Sequence, residues 1–299
     1  MIFSHGKLLL TSEYVVLDGA LALALPTKWG QEFFVSEQFD GQSLINWTAL
    51  HQGRSWLNAT IDYQNGKIVS TNIPDSAAFI QKVLMKVKEL SSKLLKEDSS
   101  YSITTDLQFP ANFGLGSSST LMNNLAQWAD IDAFELNEDC LGGSGYDIAV
   151  AQEQSAILYQ NEPERTVQKI DFDPSFKNDL IFIHLNQKQN SREGINLYRS
   201  KEKSSQLIED FSTITKQVLE VQTLEEFSDL MILHEKKLSE FLGIETAKEK
   251  YFETSPSFVK SLGAWGGDFV MSSKFSGYQD YFLGKGFSSV FSYDDLIYW

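Results

Sequence analysis

Pro110-Ala-Asn-Phe-Gly114-Leu-Gly116-Ser117-Ser118-Ser119-Thr120 is the stretch on which the reading of the whole chain turns. Before it, Tyr101 to Phe109 alternates like a strand, with Tyr101, Ile103, Thr105, Leu107 and Phe109 on one parity. After it, Leu121 to Trp128 puts Leu121, Leu125 and Trp128 on one helical face. Two glycines and three serines therefore stand where a strand turns into a helix. Such a junction leaves backbone N–H groups pointing outward at the positive end of the helix dipole. Glycines let an anion come close to those groups, so the loop suits a phosphate. A serine-capped helix entry after a turn explains the same residues equally well.

Working outward, the bulk properties narrow the classes. A chain of 299 residues is long enough for one large or two ordinary domains. With 42% hydrophobic and 22% charged residues it reads as an ordinary globular protein rather than a disordered one. A net charge of −15 and a pI near 4.7 argue against nucleic-acid binding, which wants a basic face. The single cysteine, Cys140, excludes an internal disulfide and fits a reducing compartment. His5, His51, His184 and His234 are scattered and lack the spacing of a Cys/His metal site. No stretch has the length or apolarity of a membrane span or leader, so the expected location is cytoplasmic, with no membrane partner.

The first 70 residues read as short strands, with Asp18-Gly19 and Asn65-Gly66 as turns. Thr11 to Leu17 belongs to that strand series, and Ala20–Pro26 and Gly30–Glu37 read as two separate strands. Ser76 to Leu95 is the first clear helix, because Phe79, Ile80, Val83, Leu84, Val87, Leu90 and Leu94 keep its period. A polar, proline-bearing stretch from Pro174 to Asn178 is the best boundary. It is followed by a buried strand, Leu180 to Leu185, and by two helices near Lys203–Leu219 and Leu224–Leu242. The pattern is α+β, a β-rich first half followed by a smaller sandwich of helices on strands.

Two more glycine-rich segments accompany the first: Gly142-Gly-Ser144-Gly-Tyr-Asp147 and Gly263-Ala-Trp265-Gly266-Gly267-Asp268. Three in one chain exceed ordinary packing needs. The common phosphate-binding signatures do not account for them. There is no G-x-x-x-x-G-K-[ST] motif, and Gly114-x-Gly116-x-x-Ser119 lacks both the third glycine and the βαβ setting of a dinucleotide site. Protein-kinase motifs are absent as well.

The ordered set resembles the GHMP small-molecule kinases, the mevalonate and phosphomevalonate kinases in particular. Its first element looks like Gly6-Lys7-Leu-Leu-Leu-Thr-Ser-Glu13-Tyr-Val-Val-Leu-Asp-Gly19, and the second is Pro110 through Ser119. Gly143-Ser144-Gly145-Tyr146-Asp147 looks like the family's Ser-Gly-x-Asp segment, and Gly263–Asp268 is similar to its third motif. The resemblance implies a two-domain fold: a β-rich N-terminal domain (1–175, like ribosomal protein S5 domain 2) and a C-terminal ferredoxin-like α/β sandwich (176–299). It implies an ATP- and Mg²⁺-dependent phosphotransferase acting on a hydroxyl or phosphate of a small metabolite. A monomer or homodimer is expected.

Roles follow position by position from that resemblance. Asp147 becomes the carboxylate at the acceptor hydroxyl, with Lys7 beside it. Gly114, Gly116, Ser117 and Ser119, with Pro110 and Leu115 in the same loop, form the phosphate cradle. Ser118 helps hold Mg²⁺, with Glu138, or else Glu135, as a second ligand. Glu13 contacts the acceptor or pairs with a cation. Ser144, Lys188, Arg192, Gly266 and Gly267 are candidates to border the acceptor. Two features depart from the family: Asp147 follows Ser119 by only 28 positions, and Trp265 and Asp268 stand where small residues are usual. The acceptor is therefore left open. Other readings on the same fold are a silent nucleotide-binding sensor, a diphosphate-dependent decarboxylase and a sugar kinase, although the galactokinase sugar signature is missing.

Overall fold

A computed structural model describes residues 1–95, 99–187, 191–263, 265 and 268–298. The chain forms two compact units that interleave along the sequence. The first holds Met1–Gly6, Trp29–Ala111 and Gly116–Gln152; the second holds Lys7–Lys28, Asn112–Leu115 and Glu153–Trp299. The class is α+β, as the sequence implies.

In the first unit, strands Leu44–His51, Arg54–Asp62 and Lys67–Thr71 form an antiparallel meander. Strand Ser99–Leu107 runs parallel to the first of these and antiparallel to the later part of Ala22–Phe39. Alternation sends Ile45, Trp47, Tyr101, Ile103 and Phe33 to one face, where they are buried. Helices Pro74–Leu90 and Ser117–Ala129 cover that face with Val83, Leu84, Val87, Met122 and Leu125. The opposite face carries Asn46, Thr48, Asn58 and Thr60, which bond to one another across strands.

In the second unit, the antiparallel sheet runs Val259–Leu262, Phe269–Ser273, Leu180–His184, Val290–Ser292. Every residue of Leu180–His184 and Phe269–Ser273 is buried, so the two central strands are covered on both faces. Helices Ser205–Glu220 and Leu224–Leu242 belong to this unit. The second starts with a Thr223–Glu226 capping box and stops at Gly243, which has a left-handed backbone. Among the described residues no helix is long and apolar enough to cross a membrane.

Three expectations need correction. Ala20–Pro26 and Gly30–Glu37 are one strand, Ala22–Phe39. Pro26 does not interrupt it, since the ladder with Ile157–Gln160 ends at Ala24 and the ladder with Ser99–Leu107 starts at Gln31. At Pro26 only the carbonyl is used, accepting from the Tyr298 N–H, so the missing proline donor costs nothing. Second, Val15–Asp18 is a 3₁₀ turn rather than a strand, entered through Ser12 and Tyr14 at positive φ. Third, the sequence reading missed the helix Ser191–Arg199.

Candidate functional site

The Gly114–Thr120 loop has the geometry its composition suggests. Gly114 (φ 70°) and Gly116 (φ 89°) both take the left-handed conformation that glycine adopts without strain. Gly116 is the N-cap of helix Ser117–Ala129, and among the described residues no side chain caps that helix. The first-turn amides are therefore left for a ligand or water. The three serines divide. Ser119 is buried and donates its hydroxyl back to the Gly116 carbonyl (2.9 Å), whereas Ser118 is exposed and Ser117 half-buried. Below the first turn, a neutral network pins the helix within the first unit. Thr120 donates to Gln31 Oε1 (3.2 Å), Asn124 donates to the Gln31 carbonyl (3.0 Å), and Ser4 donates to Asn124 Oδ1 (2.7 Å) while accepting from Asn123 (2.8 Å).

The second unit contributes Asn112–Leu115 and fixes them from three sides. Lys7 Nζ donates to the Gly114 carbonyl (2.9 Å), and the Lys7 N–H donates to the Leu115 carbonyl (2.9 Å). Phe113 stacks on His184 at 4.3 Å between ring centres, and His184 Nε2 bonds to the Asn112 carbonyl (3.2 Å). Since His184 Nδ1 accepts from the Asn186 N–H (3.2 Å), the ring proton sits on Nε2. Burial pushes the His184 pKa down, which keeps this neutral form. Asp268 closes the third side: its carboxylate lies against Gly114, where a Cβ would overlap it. His184 as a loop anchor carries no local sequence signal.

The third glycine segment is held by the first motif. Tyr14 Oη accepts from the Trp265 N–H (3.0 Å). Glu13 is itself buried and pairs with Lys260 Nζ at 2.5 Å, 247 positions away. Of its two expected roles, the structure shows the pairing with a cation. Lys260 stands in the centre of strand Val259–Leu262 with no exposed surface, and nothing local in the sequence marks it as Glu13's partner.

Two more titratable groups pack around this pair. His234 Nε2 accepts from the Ser12 N–H (2.8 Å), and burial, with Lys260 nearby, holds its pKa well below the usual range. The 3.2 Å approach of Glu13 Oε2 to that ring is therefore not an ion pair, because the imidazole is neutral. Glu235 accepts from the Ser261 N–H (3.0 Å), the Ser261 hydroxyl (2.8 Å) and the Ala247 N–H (3.2 Å). Burial raises its pKa to about 7, offset in part by Lys260. Burial likewise raises that of Glu13 against the pull of Lys260. One cation serves two acids, so the second ionises reluctantly.

The remaining candidates divide. Asp147 is half-buried in the first turn of helix Tyr146–Glu153, where its Oδ1 accepts from the Ile148 N–H (3.1 Å). Ser144, also half-buried, lies in the turn before it, and Pro110 is half-buried at the loop entry. Glu138 and Glu135 are exposed on helix Ala133–Cys140. Lys188, Gly266 and Gly267 lie outside the described residues. Arg192 is described only in its backbone, within helix Ser191–Arg199. Among the described residues no three His, Cys, Asp or Glu side chains gather into a metal cluster. The loop's donors, backbone amides, hydroxyls and one ammonium, suit a polyphosphate that brings its own hard cation.

The solved structures with a similar fold share this architecture. The mevalonate kinase of Methanococcus jannaschii matches 97% of this chain with 96% of its own, at 16% identity and a TM-score of 0.69. The fold is that of the GHMP kinases. The phosphomevalonate kinase of Streptococcus pneumoniae, solved with phosphomevalonate and AMPPNP, matches 97% of the chain with 99% of its own (16% identity, TM-score 0.68). Lactococcus lactis galactokinase, complexed with galactose, covers 97% and 92% respectively at 12% identity and TM-score 0.67. No family model matches the sequence, and no curated protein sequence matches it. The likeness to GHMP kinases therefore lies in the fold.

Proposed function

We propose that this protein is an ATP-dependent small-molecule kinase that transfers the γ-phosphate to a hydroxyl or phosphate of a metabolite, most similar in type to mevalonate and phosphomevalonate kinases. The observation that carries the reading is the glycine loop. Gly114 and Gly116 at positive φ lead into a helix whose first turn no side chain caps, and Lys7 is bonded to the loop. In this reading the amides of that turn bind the phosphates, and the exposed Ser118 hydroxyl reaches the cation they carry. Mg²⁺, when bound, spreads the charge that builds on the phosphoryl oxygens. Asp147 accepts the proton of the attacking hydroxyl in this reading.

The test is ADP release with mevalonate, phosphomevalonate, homoserine and galactose as separate acceptors, repeated with Asp147→Ala. Turnover with one acceptor, reduced about 10²- to 10⁴-fold in the variant, is expected for a lost general base. No turnover with any acceptor, or an unimpaired Asp147→Ala, overturns the reading. Carbon dioxide release from a diphosphate substrate would point instead to a decarboxylase on this fold.

A further inference from the structure

Helices Pro74–Leu90 and Ser117–Ala129 cover the same sheet face, yet they bury different residues. The buried positions of the first are all apolar: Ala77, Ile80, Val83, Leu84 and Val87. The second buries Ser119, Thr120, Asn123 and Asn124 in its first two turns, beside the apolar Leu121, Met122 and Leu125. A face that accepts an apolar helix does not demand those four polar residues. They also cost the helix stability. Serine, threonine and asparagine are weak formers of helix interiors. The Thr120 hydroxyl bonds back to the Ser117 carbonyl (2.9 Å), a contact that tends to bend a helix. Asn123 Oδ1 is buried with no partner among the described residues. What the polar residues supply is register. Apolar side chains repack at small cost, whereas hydrogen bonds hold only at set distances and angles. Thr120 shares its one proton between the Ser117 carbonyl and Gln31 Oε1 (3.2 Å). Asn124 donates to the Gln31 carbonyl (3.0 Å) and accepts from the Ser4 hydroxyl (2.7 Å). Strands Ile2–Leu9 and Ala22–Phe39 are thereby tied to one end of the helix. It is the end whose first turn no side chain caps among the described residues.

We propose that Thr120 and Asn124 are positioning residues for the nucleotide: through Gln31 and Ser4 they set the height and rotation of helix Ser117–Ala129, so that its first-turn amides meet the phosphates. The inference rests on the nucleotide-binding reading above and adds to it the residues that hold the phosphate-binding turn in place. Both residues are buried, and they act through the amides that they orient rather than on the ligand itself.

The experiment uses the full chain and measures its affinity for a fluorescent ATP analogue with Mg²⁺, alongside urea unfolding. Thr120→Val keeps the shape of the side chain and removes its hydroxyl. It should weaken binding about tenfold, within what a misplacement of about 1 Å can cost. Thr120→Ser restores the hydroxyl and should bind like the wild type. Leu84→Ala opens a cavity under the neighbouring helix, and should lower stability while leaving the affinity of the folded protein unchanged. That control separates position from stability. A Thr120→Val protein with wild-type affinity overturns the proposal, as does a Thr120→Ser protein as weak as Thr120→Val, or a Leu84→Ala protein weakened equally. A wild type that binds no analogue overturns the nucleotide reading itself, so the two failures are distinct. Should Thr120→Val fail to fold, Gln31→Met decides, because it removes the Oε1 partner and leaves the backbone carbonyl to Asn124. Weakened binding in that variant supports the proposal, and unchanged binding overturns it.

Discussion

Two buried polar networks support the glycine segments, and they are built on different chemistry. In the first unit, Ser4, Gln31, Thr120, Asn123 and Asn124 fasten the helix behind the loop through neutral groups. In the second, Glu13, Lys260, His234 and Glu235 hold the strand Val259–Leu262, which leads into the Gly263 segment, with charged and titratable ones. Neutral amides and hydroxyls satisfy one another at modest net gain and do not respond to pH. A buried ion pair must overcome a large desolvation cost, and it leaves a worse defect when one partner is removed. The charged network shows that stress in its atoms: Glu13 Oε2 and His234 Nδ1 have no hydrogen-bond partner among the described residues. The neutral one is not perfect either, since Asn123 Oδ1 is also left unmatched. One support is therefore indifferent to solution conditions, and the other is sensitive to them.

The sharpest way to break that contrast is Lys260→Met. It leaves Glu13 and Glu235 buried without their cation and should cost about 3–5 kcal/mol in urea unfolding. Adding Glu13→Gln should restore part of the loss. A loss under 1 kcal/mol would mean that the pair contributes little to the fold.

Next in size is a pH effect centred on Glu235. Its folded pKa, near 7, lies above the ordinary value of 4.5. Its contribution is thus fully present below about pH 4.5 and is lost as pH rises through 7. Measured against Glu235→Gln, the wild type should lose about 3 kcal/mol of relative stability between pH 4.5 and 7.5. Parallel pH profiles for the two proteins would remove Glu235 as the source.

The smallest expected effect is in the neutral network. Asn124→Ala removes an acceptor for Ser4 and a donor to the Gln31 carbonyl, and should cost about 1–3 kcal/mol. That loss should be the same at pH 5 and pH 8, and a loss that varied with pH would erase the distinction between the two supports.

How much of this could be read in the chain depends on how far each signal reaches. The strand-to-helix junction at Gly114–Thr120 is legible because strand alternation, glycine and helical period all fall within twenty-odd residues. Lys7 could be singled out because a lysine between Gly6 and an apolar strand is out of place without a partner. The 3₁₀ turn at Val15–Asp18 misleads because the β-branched Val15 and Val16 suggest a strand. What turns them is tertiary: the Ser12 N–H is claimed by His234, and Tyr14 Oη by Trp265. Helix Ser191–Arg199 was hidden by Gly194, which suggests a break. A Cβ at that position would run into Tyr14 Oη, so the glycine serves a close approach rather than a turn. Lys260 could not be assigned at all, since a buried lysine is explained only by an acid from the far end of the chain.

That distance has a consequence for how the molecule is made. Glu13 and Lys260 are 247 residues apart in sequence. At a synthesis rate of about 5–20 residues per second, roughly 12–50 seconds pass between the emergence of one and the other. Throughout that interval Glu13 and the turn after it lack the later residues that bury them, Phe211, Leu238 and Trp265 among them, and the second unit cannot close until its last hundred residues arrive. The N-terminal motif is therefore translated first and completed among the last. Such long-range closure favours slow folding, with apolar surface exposed to chaperones in the meantime.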